Sequence, residues 1–269
     1  MKKFSLVILL LLSLVFTLSA CGKNEFEIVV GATKSPHSEI LNCEAVKNYI
    51  ESKGYTLKVK IYHDYVTPNK ALQDEALDAN YFQHIPYLTE EVETKGYDLK
   101  AACQVHNEPL NLYGTVKTDN FENETIYIIN DASNVERAYK LLQANGLIDT
   151  YSVENFNANN PVYTTSVAGL KIECIESGLL RYKVEEDAYA VIPGNFALTA
   201  WGAQRAAEYK VFGESVDVAY PNIIACRSED LNSEKIKILV EALAQEEVRE
   251  FIESTYGPTV NYVFESFIK

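Results

Sequence analysis

The sequence predicts an α/β protein in two lobes, with a mostly parallel sheet covered by helices. Three observations predict it. From Ile28 onward, short β-branched and aromatic runs alternate with stretches whose apolar residues recur at helical spacing, as in strand–helix–strand units. The chain has 269 residues, 47% of them apolar, enough to fill two cores. No repeat, low-complexity tract or Pro/Gly-rich linker divides it, so the backbone is expected to cross between the lobes more than once.

The chain opens MKKFSLVILLLLSLVFTLSAC. Lys2 and Lys3 precede an apolar run shorter than the ~20 residues a spanning helix needs, which is the layout of a secretory signal. The run closes in Leu18-Ser19-Ala20-Cys21, a pattern similar to a bacterial lipobox: small residues suit the signal peptidase, and the Cys21 thiol accepts a diacylglycerol. Residues 1–20 are therefore predicted to be a signal peptide, and 21–26 a lipidated N-terminus and polar linker. The expected location is the extracytoplasmic face of the cell membrane. Acyl chains contribute about 0.8 kcal/mol per buried CH₂, and stable anchoring takes more than one chain.

Cleavage removes two lysines and no acid, taking the formal net charge from −14 to −16. So acidic a body repels nucleic-acid phosphates and anionic headgroups alike. Nucleic acid is excluded as a partner, and membrane contact is expected through the lipid anchor only.

The elements follow in order. EIVV begins a strand at Ile28–Val30, and a Gly-containing loop leads to a helix carrying Ile40, Leu41, Val46, Tyr49 and Ile50 on one stripe, stopped by Gly54. TLKVKIY (56–62) alternates like a strand, and HDYVTPN leads into a short helix over 69–77. DANYF is a short strand, and Pro86 suits the first turn of a helix that ends at Gly96. LKAACQV and NLYGTV are strands joined through HNEP, and ETIYIIN (124–130) is another. The next helix has Ser133 and Glu136 at capping-box spacing and Gly146 at its end. Residues 151–161 are polar and loop-like. KIECIE, DAYAVI and PNIIACR are further strands, and helices over 232–245 and 246–255 close the chain.

The sequence contains no GxSxG, HExxH, GxxxxGK[ST] or GxGxxG, so it offers no familiar catalytic or nucleotide-binding motif. Cys43, Cys103, Cys174 and Cys226 are widely spaced without CxxC, which argues against structural zinc. They are expected to be buried free thiols, each lying in or beside an apolar stretch; an exported protein could also pair them. His37, His63, His84 and His106, with Asp64 and Glu108, supply a second reading as a metal site. All four histidines fall in loop-like places.

The stretch NYFQHIPYL, residues 80–88, points instead to a small-molecule pocket. Tyr and His offer an apolar body with a polar tip, where a core would use Leu, Ile and Val. Arg137 falls in the first turn of the helix opened by Ser133, where unpaired N–H groups and a forked guanidinium would suit a carboxylate. The residues alone leave Arg137 equally open to pairing with an acid on a solvated face.

VGATKSPHSEIL, DYVTPNKAL, DANYFQHIPYL, KGYDL, NDASNVERAYKLLQANGLI and YPNIIACR stand in the order and spacing of the NlpA-type methionine-binding lipoproteins. The chain resembles that family over essentially its whole mature length. The resemblance implies a type II periplasmic-binding-protein fold, two α/β lobes closing on a ligand in the cleft between them. Lobe one would comprise 27–107 and 223–269, and lobe two 108–222, with HNEP and YPN as crossings. It implies that Tyr65, Phe82, His84 and Tyr87 form the wall around a methionine thioether, a contact favourable by about 0.3–1.5 kcal/mol. The residues also allow Phe82 to be a plain core ring. Arg137 would bind the carboxylate, and Asn222 would hold the amino-acid end.

One position departs from the family. Where the family has an asparagine reaching the amino-acid end of the ligand, this chain has Pro193, which has no polar side-chain group and no N–H. Asn195 is the candidate substitute. The ligand is thus methionine or a close analogue, such as a sulfoxide, a dipeptide or another apolar amino acid. The partners implied are an ABC permease and its ATPase. No cofactor, metal or enzymatic activity is expected. The competing readings are a zinc-type lipoprotein using the histidines, and a surface lipoprotein that has lost transport.

Overall fold

The computed structural model describes residues 24–215 and 220–268. The signal-peptide and Cys21 expectations lie outside the described residues. Among those described, no helix is long and apolar enough to cross a membrane.

Strand β1 (Glu27–Thr33) buries Ile28, Val30 and Ala32 completely. The single helix expected next is broken. After extended Ser35, helical turns run to Leu41 and end at Asn42, whose side chain and backbone N–H both donate to the Ser38 carbonyl (2.8 and 3.0 Å). Extended Cys43 then restarts the chain as α1 (Glu44–Ser52). Strand β2 (Thr56–Tyr62), helix α2 (Thr67–Gln73) and strand β3 (Ala79–His84) follow. Helix α3 (Ile85–Lys95) has Pro86 in its first turn and ends at left-handed Gly96, as its sequence predicts. Strand β4 (Leu99–Asn107) leads through Glu108 and Pro109 to β5 (Asn111–Tyr113).

Strand β6 (Thr125–Ile129) precedes helix α4 (Ala132–Ala144). The N-cap is Asp131 rather than Ser133. The Asp131 carboxylate accepts from the Asn134 N–H at 2.9 Å, and the Ser133 hydroxyl donates to the same oxygen at 2.9 Å. Strands β7 (Thr150–Ser152) and β8 (Val162–Thr164) pair as a hairpin flanking the polar segment read as a loop. Strand β9 (Lys171–Ile175), helix α5 (Leu180–Glu185) and strand β10 (Tyr189–Ile192) follow. Pro193, which Gly194 follows, does not continue the strand. It caps helix α6 (Gly194–Tyr209), which bends at Gly202 (φ 70°), a conformation that suits glycine. Strands β11 (Lys210–Gly213) and β12 (Pro221–Arg227), helices α7 (Glu234–Leu243) and α8 (Glu246–Tyr256), and strand β13 (Asn261–Ser266) complete the chain.

The six-stranded sheet has the order β13-β4-β12-β3-β1-β2, and the five-stranded sheet β11-β5-β10-β6-β9. Both are mixed, which corrects the expectation of mostly parallel pairing. Strand β12 returns from the second sheet and inserts antiparallel to both β3 and β4. In the second sheet β5 lies antiparallel to β10 and β11. One core packs α1, α7 and α8 on the first sheet around Ile28, Val46, Ile224, Leu239 and Ile252. A separate core around Ile126, Ile128, Val135, Leu142 and Val191 fills the second. The layout places the strand ends, two crossings and the first turns of α3, α4 and α6 around one interlobe cleft.

Candidate ligand-binding cleft

Tyr65, Phe82, His84, Tyr87, Arg137, Asn195 and Asn222 all line one cavity between the lobes. Glu108, Asn134, Gln83 and Pro193 line it with them. Tyr65, Phe82 and Tyr87 surround one face, with ring centroids 5.6, 5.9 and 6.0 Å apart. The Tyr87 hydroxyl donates to the Tyr65 carbonyl at 2.9 Å, and the Tyr65 hydroxyl donates across the cleft to Asn195 Oδ1 at 2.7 Å. The rings are thus held by their polar ends, leaving their apolar bodies to the cavity.

His84 has a determined tautomer. Its Nδ1 accepts from the Tyr87 N–H at 3.2 Å, so Nε2 carries the proton and donates across the cleft to Asn134 Oδ1 at 3.2 Å. Burial, with Arg137 nearby, pushes its pKa down to about 3, so it is neutral. The Asn134 amide in turn donates to Asp131. A third interlobe bond runs from the Ser133 N–H to Glu90 Oε2 (3.0 Å), placing a carboxylate at the first turn of α4. The two sides of the cleft are therefore bonded to each other in this conformation.

Arg137 lies in the second turn of α4, beyond the turn with free N–H groups, and is 4% exposed. Its Nε donates to Glu214 Oε1 at 2.7 Å, and its Nη2 donates to Glu214 Oε2 at 2.5 Å and to the Glu108 carbonyl at 2.7 Å. Tyr220 stacks on the guanidinium at 4.5 Å. The forked edge expected to take a ligand carboxylate is thus occupied by the protein's own acid, though not on a solvated face. Among the described residues, Nη1 has no hydrogen-bond partner.

Glu108, which the sequence offered only as a metal ligand, is 5% exposed at the crossing from β4 to β5. Oε1 accepts from His106 Nε2 at 2.7 Å, with His37 Nε2 at 3.4 Å. The His37 Nε2 also meets Asn222 Oδ1 at 3.0 Å. Both Nε2 atoms face oxygen acceptors and so carry the protons. Each Nδ1 then accepts from a hydroxyl, Thr33 Oγ1 for His37 (2.7 Å) and Tyr81 Oη for His106. Burial pushes the pKa of His37 to about 4 and of His106 to about 3. It also raises that of Glu108, against His37, the Asn195 N–H and Arg137. A Cβ on Gly194 would come within 3.0 Å of the Glu108 carboxylate, so glycine lets the first turn of α6 close on it.

The histidines are not all in loops: His106 sits in β4 and His84 ends β3. His37, His106 and Glu108 bring ligand-type atoms within 4.8 Å of one another. His63, His84 and Asp64 do not join them. Cys43, Cys103, Cys174 and Cys226 are free thiols. Neither Glu108 nor Glu214 carries a sequence signal of its burial.

An apolar ring-lined face, an arginine and a buried carboxylate meet in one interlobe cavity, the arrangement of a substrate-binding cleft between two α/β lobes. The chain belongs to the NlpA lipoprotein family, whose profile matches residues 28–264. It is 37% identical over 273 residues to the methionine-binding lipoprotein MetQ of Bacillus subtilis (strain 168), covering 97% of this chain and 98% of that one. Among solved structures, a nutrient-binding protein from Burkholderia cenocepacia bound to methionine has a TM-score of 0.76 and 31% identity, covering 88% of this chain and all of that one (100%). Lipoprotein Tp32 from Treponema pallidum has a TM-score of 0.79 and 27% identity, covering 88% and 99%.

Proposed function

We propose that this chain is the lipid-anchored substrate-binding subunit of an ABC importer, capturing methionine or a close relative and handing it to the permease and its ATPase. The observation that carries this reading is the convergence of Tyr65, Phe82, His84, Tyr87, Arg137, Asn195 and Asn222 on one interlobe cavity. The family membership and the methionine-bound neighbour support it. In the proposed pose the thioether lies among Tyr65, Phe82 and Tyr87, and the carboxylate meets Arg137 Nη1. The ammonium faces Glu108 and Asn222. Pro193 supplies shape without a hydrogen bond, and Asn195, with Oδ1 already engaged by Tyr65, offers Nδ2. The protein binds its ligand without transforming it and needs no cofactor. Lobes of 27–107 with 223–269, and 108–222, would open at the two crossings. Anchoring is assigned to Cys21 at the extracytoplasmic face of the cell membrane.

A second reading is favoured by one observation, the convergence of His37, His106 and Glu108. Two imidazoles and a carboxylate are a donor set for zinc. Native mass spectrometry of residues 22–269, with elemental analysis of the same sample, separates the two. Bound amino acid or short peptide without metal is the expected result; stoichiometric metal without amino acid overturns it.

A further inference from the structure

We propose that Glu214 is a positioning residue for ligand recognition, taking one edge of Arg137 so that the ligand's carboxylate meets a charge-compensated arginine through Nη1 alone. The inference rests on the proposed function and deepens it. Glu214 is itself firmly held. Its N–H donates to the Leu110 carbonyl at 2.9 Å, and its Oε2 accepts from the Leu110 N–H at 2.8 Å. Its side chain is 6% exposed beside an arginine side chain at 5%. The two bonds from Nε and Nη2 fix the plane of the guanidinium, and the Tyr220 ring at 4.5 Å covers its face. Both Nη2 protons are committed, one to Glu214 and one to the Glu108 carbonyl.

Two consequences follow from this arrangement. The arginine cannot swing to meet a carboxylate with its fork, so the ligand must present an oxygen to Nη1. The charge of Arg137 is already balanced by Glu214, which leaves the Glu108 carboxylate as the unbalanced charge among the described lining residues. The carboxylate of the ligand then counts more for its shape and lone pairs than for its charge. Ligands whose carboxylate is replaced by a neutral carbonyl, such as an amino-acid amide or the N-terminal residue of a short peptide, fall within the class the cleft accepts.

The test is calorimetric titration of wild type, Glu214→Gln and Glu214→Ala with L-methionine and with L-methionine amide. Removing the acid unbalances Arg137, so the ratio of acid affinity to amide affinity should rise at least tenfold in both variants. A merely structural role would weaken both ligands together; a ratio unchanged within threefold overturns the proposal. If Glu214→Ala fails to fold, the isosteric Glu214→Gln decides. Nitrogen-15 NMR of the ligand-free protein supplies an independent readout. The Arg137 Nε–H, assigned by its loss in Arg137→Lys, should exchange with water at least tenfold faster in the variants. Equal exchange overturns the grip. Wild type binding neither ligand would refute the methionine reading, and the exchange measurement would still decide the role of Glu214.

Discussion

Arg137→Ala separates two roles that a sequence-level view merges. The substitution removes a cation and leaves the Glu214 carboxylate, 6% exposed, with the Leu110 N–H as its remaining partner among the described residues. Breaking a buried pair by deleting one member costs about 3–5 kcal/mol, because the survivor is desolvated and uncompensated. At about 2–4 °C per kcal/mol for a protein of this size, Tm should fall by about 6–20 °C. Adding Glu214→Ala removes the stranded charge, so the double variant should recover at least half of that loss. Binding should not recover, because the Nη1 contact is gone from both. Loss of a desolvated charge contact costs about 2–5 kcal/mol, a thirtyfold or greater rise in Kd. Denaturant unfolding of residues 22–269 gives the stability terms, and calorimetry with L-methionine gives the binding terms. Additive single effects on stability would refute the buried pair, and near-normal affinity in Arg137→Ala would remove Arg137 from the site.

Pro193→Asn should leave stability within about 1 kcal/mol, since a new N-cap bond on α6 offsets the loss of proline's stiffness. It should tighten L-methionine about two- to tenfold through one added hydrogen bond; weaker binding by titration would show that the ring is fitted to another ligand. Stability should fall as pH drops from about 6.5 toward 4, because unfolded His37, His84 and His106 take up protons that the folded forms, with pKa values pushed down to about 4, 3 and 3, refuse. Asp131, raised to about 6 by burial, works in the opposite direction, so His84→Gln should flatten the profile measured by denaturant unfolding. Cys21→Ser should yield unprocessed precursor or released protein in fractionation; normal processing and membrane retention would refute the lipidation assignment.

Helices α3, α7 and α8 and the strands with strong apolar character were legible, because local periodicity and Pro/Gly punctuation determine them. The direction of β12 was not, since pairing between β3 and β4 depends on where a distant segment re-enters the sheet. Helix α6 was hidden by Pro193-Gly194, which looks like a stop but serves here as a helix start. Asp131 and Ser133 are both good caps two residues apart, and burial with Asn134 decided for Asp131. The aromatic wall was readable because Tyr and His are unusual core choices, although the position of each ring came from the family resemblance. Glu108 and Glu214 are ordinary acids in the sequence; only burial gives them roles, and burial of a single acid has no local signature.

The proposed function requires the interlobe cavity to bind methionine or a near relative. Calorimetric titration of ligand-stripped residues 22–269 with L-methionine tests it most directly. Saturable 1:1 heat that is lost in Arg137→Ala is the expected result. No heat with millimolar L-methionine, from protein shown to be folded and empty, would contradict it.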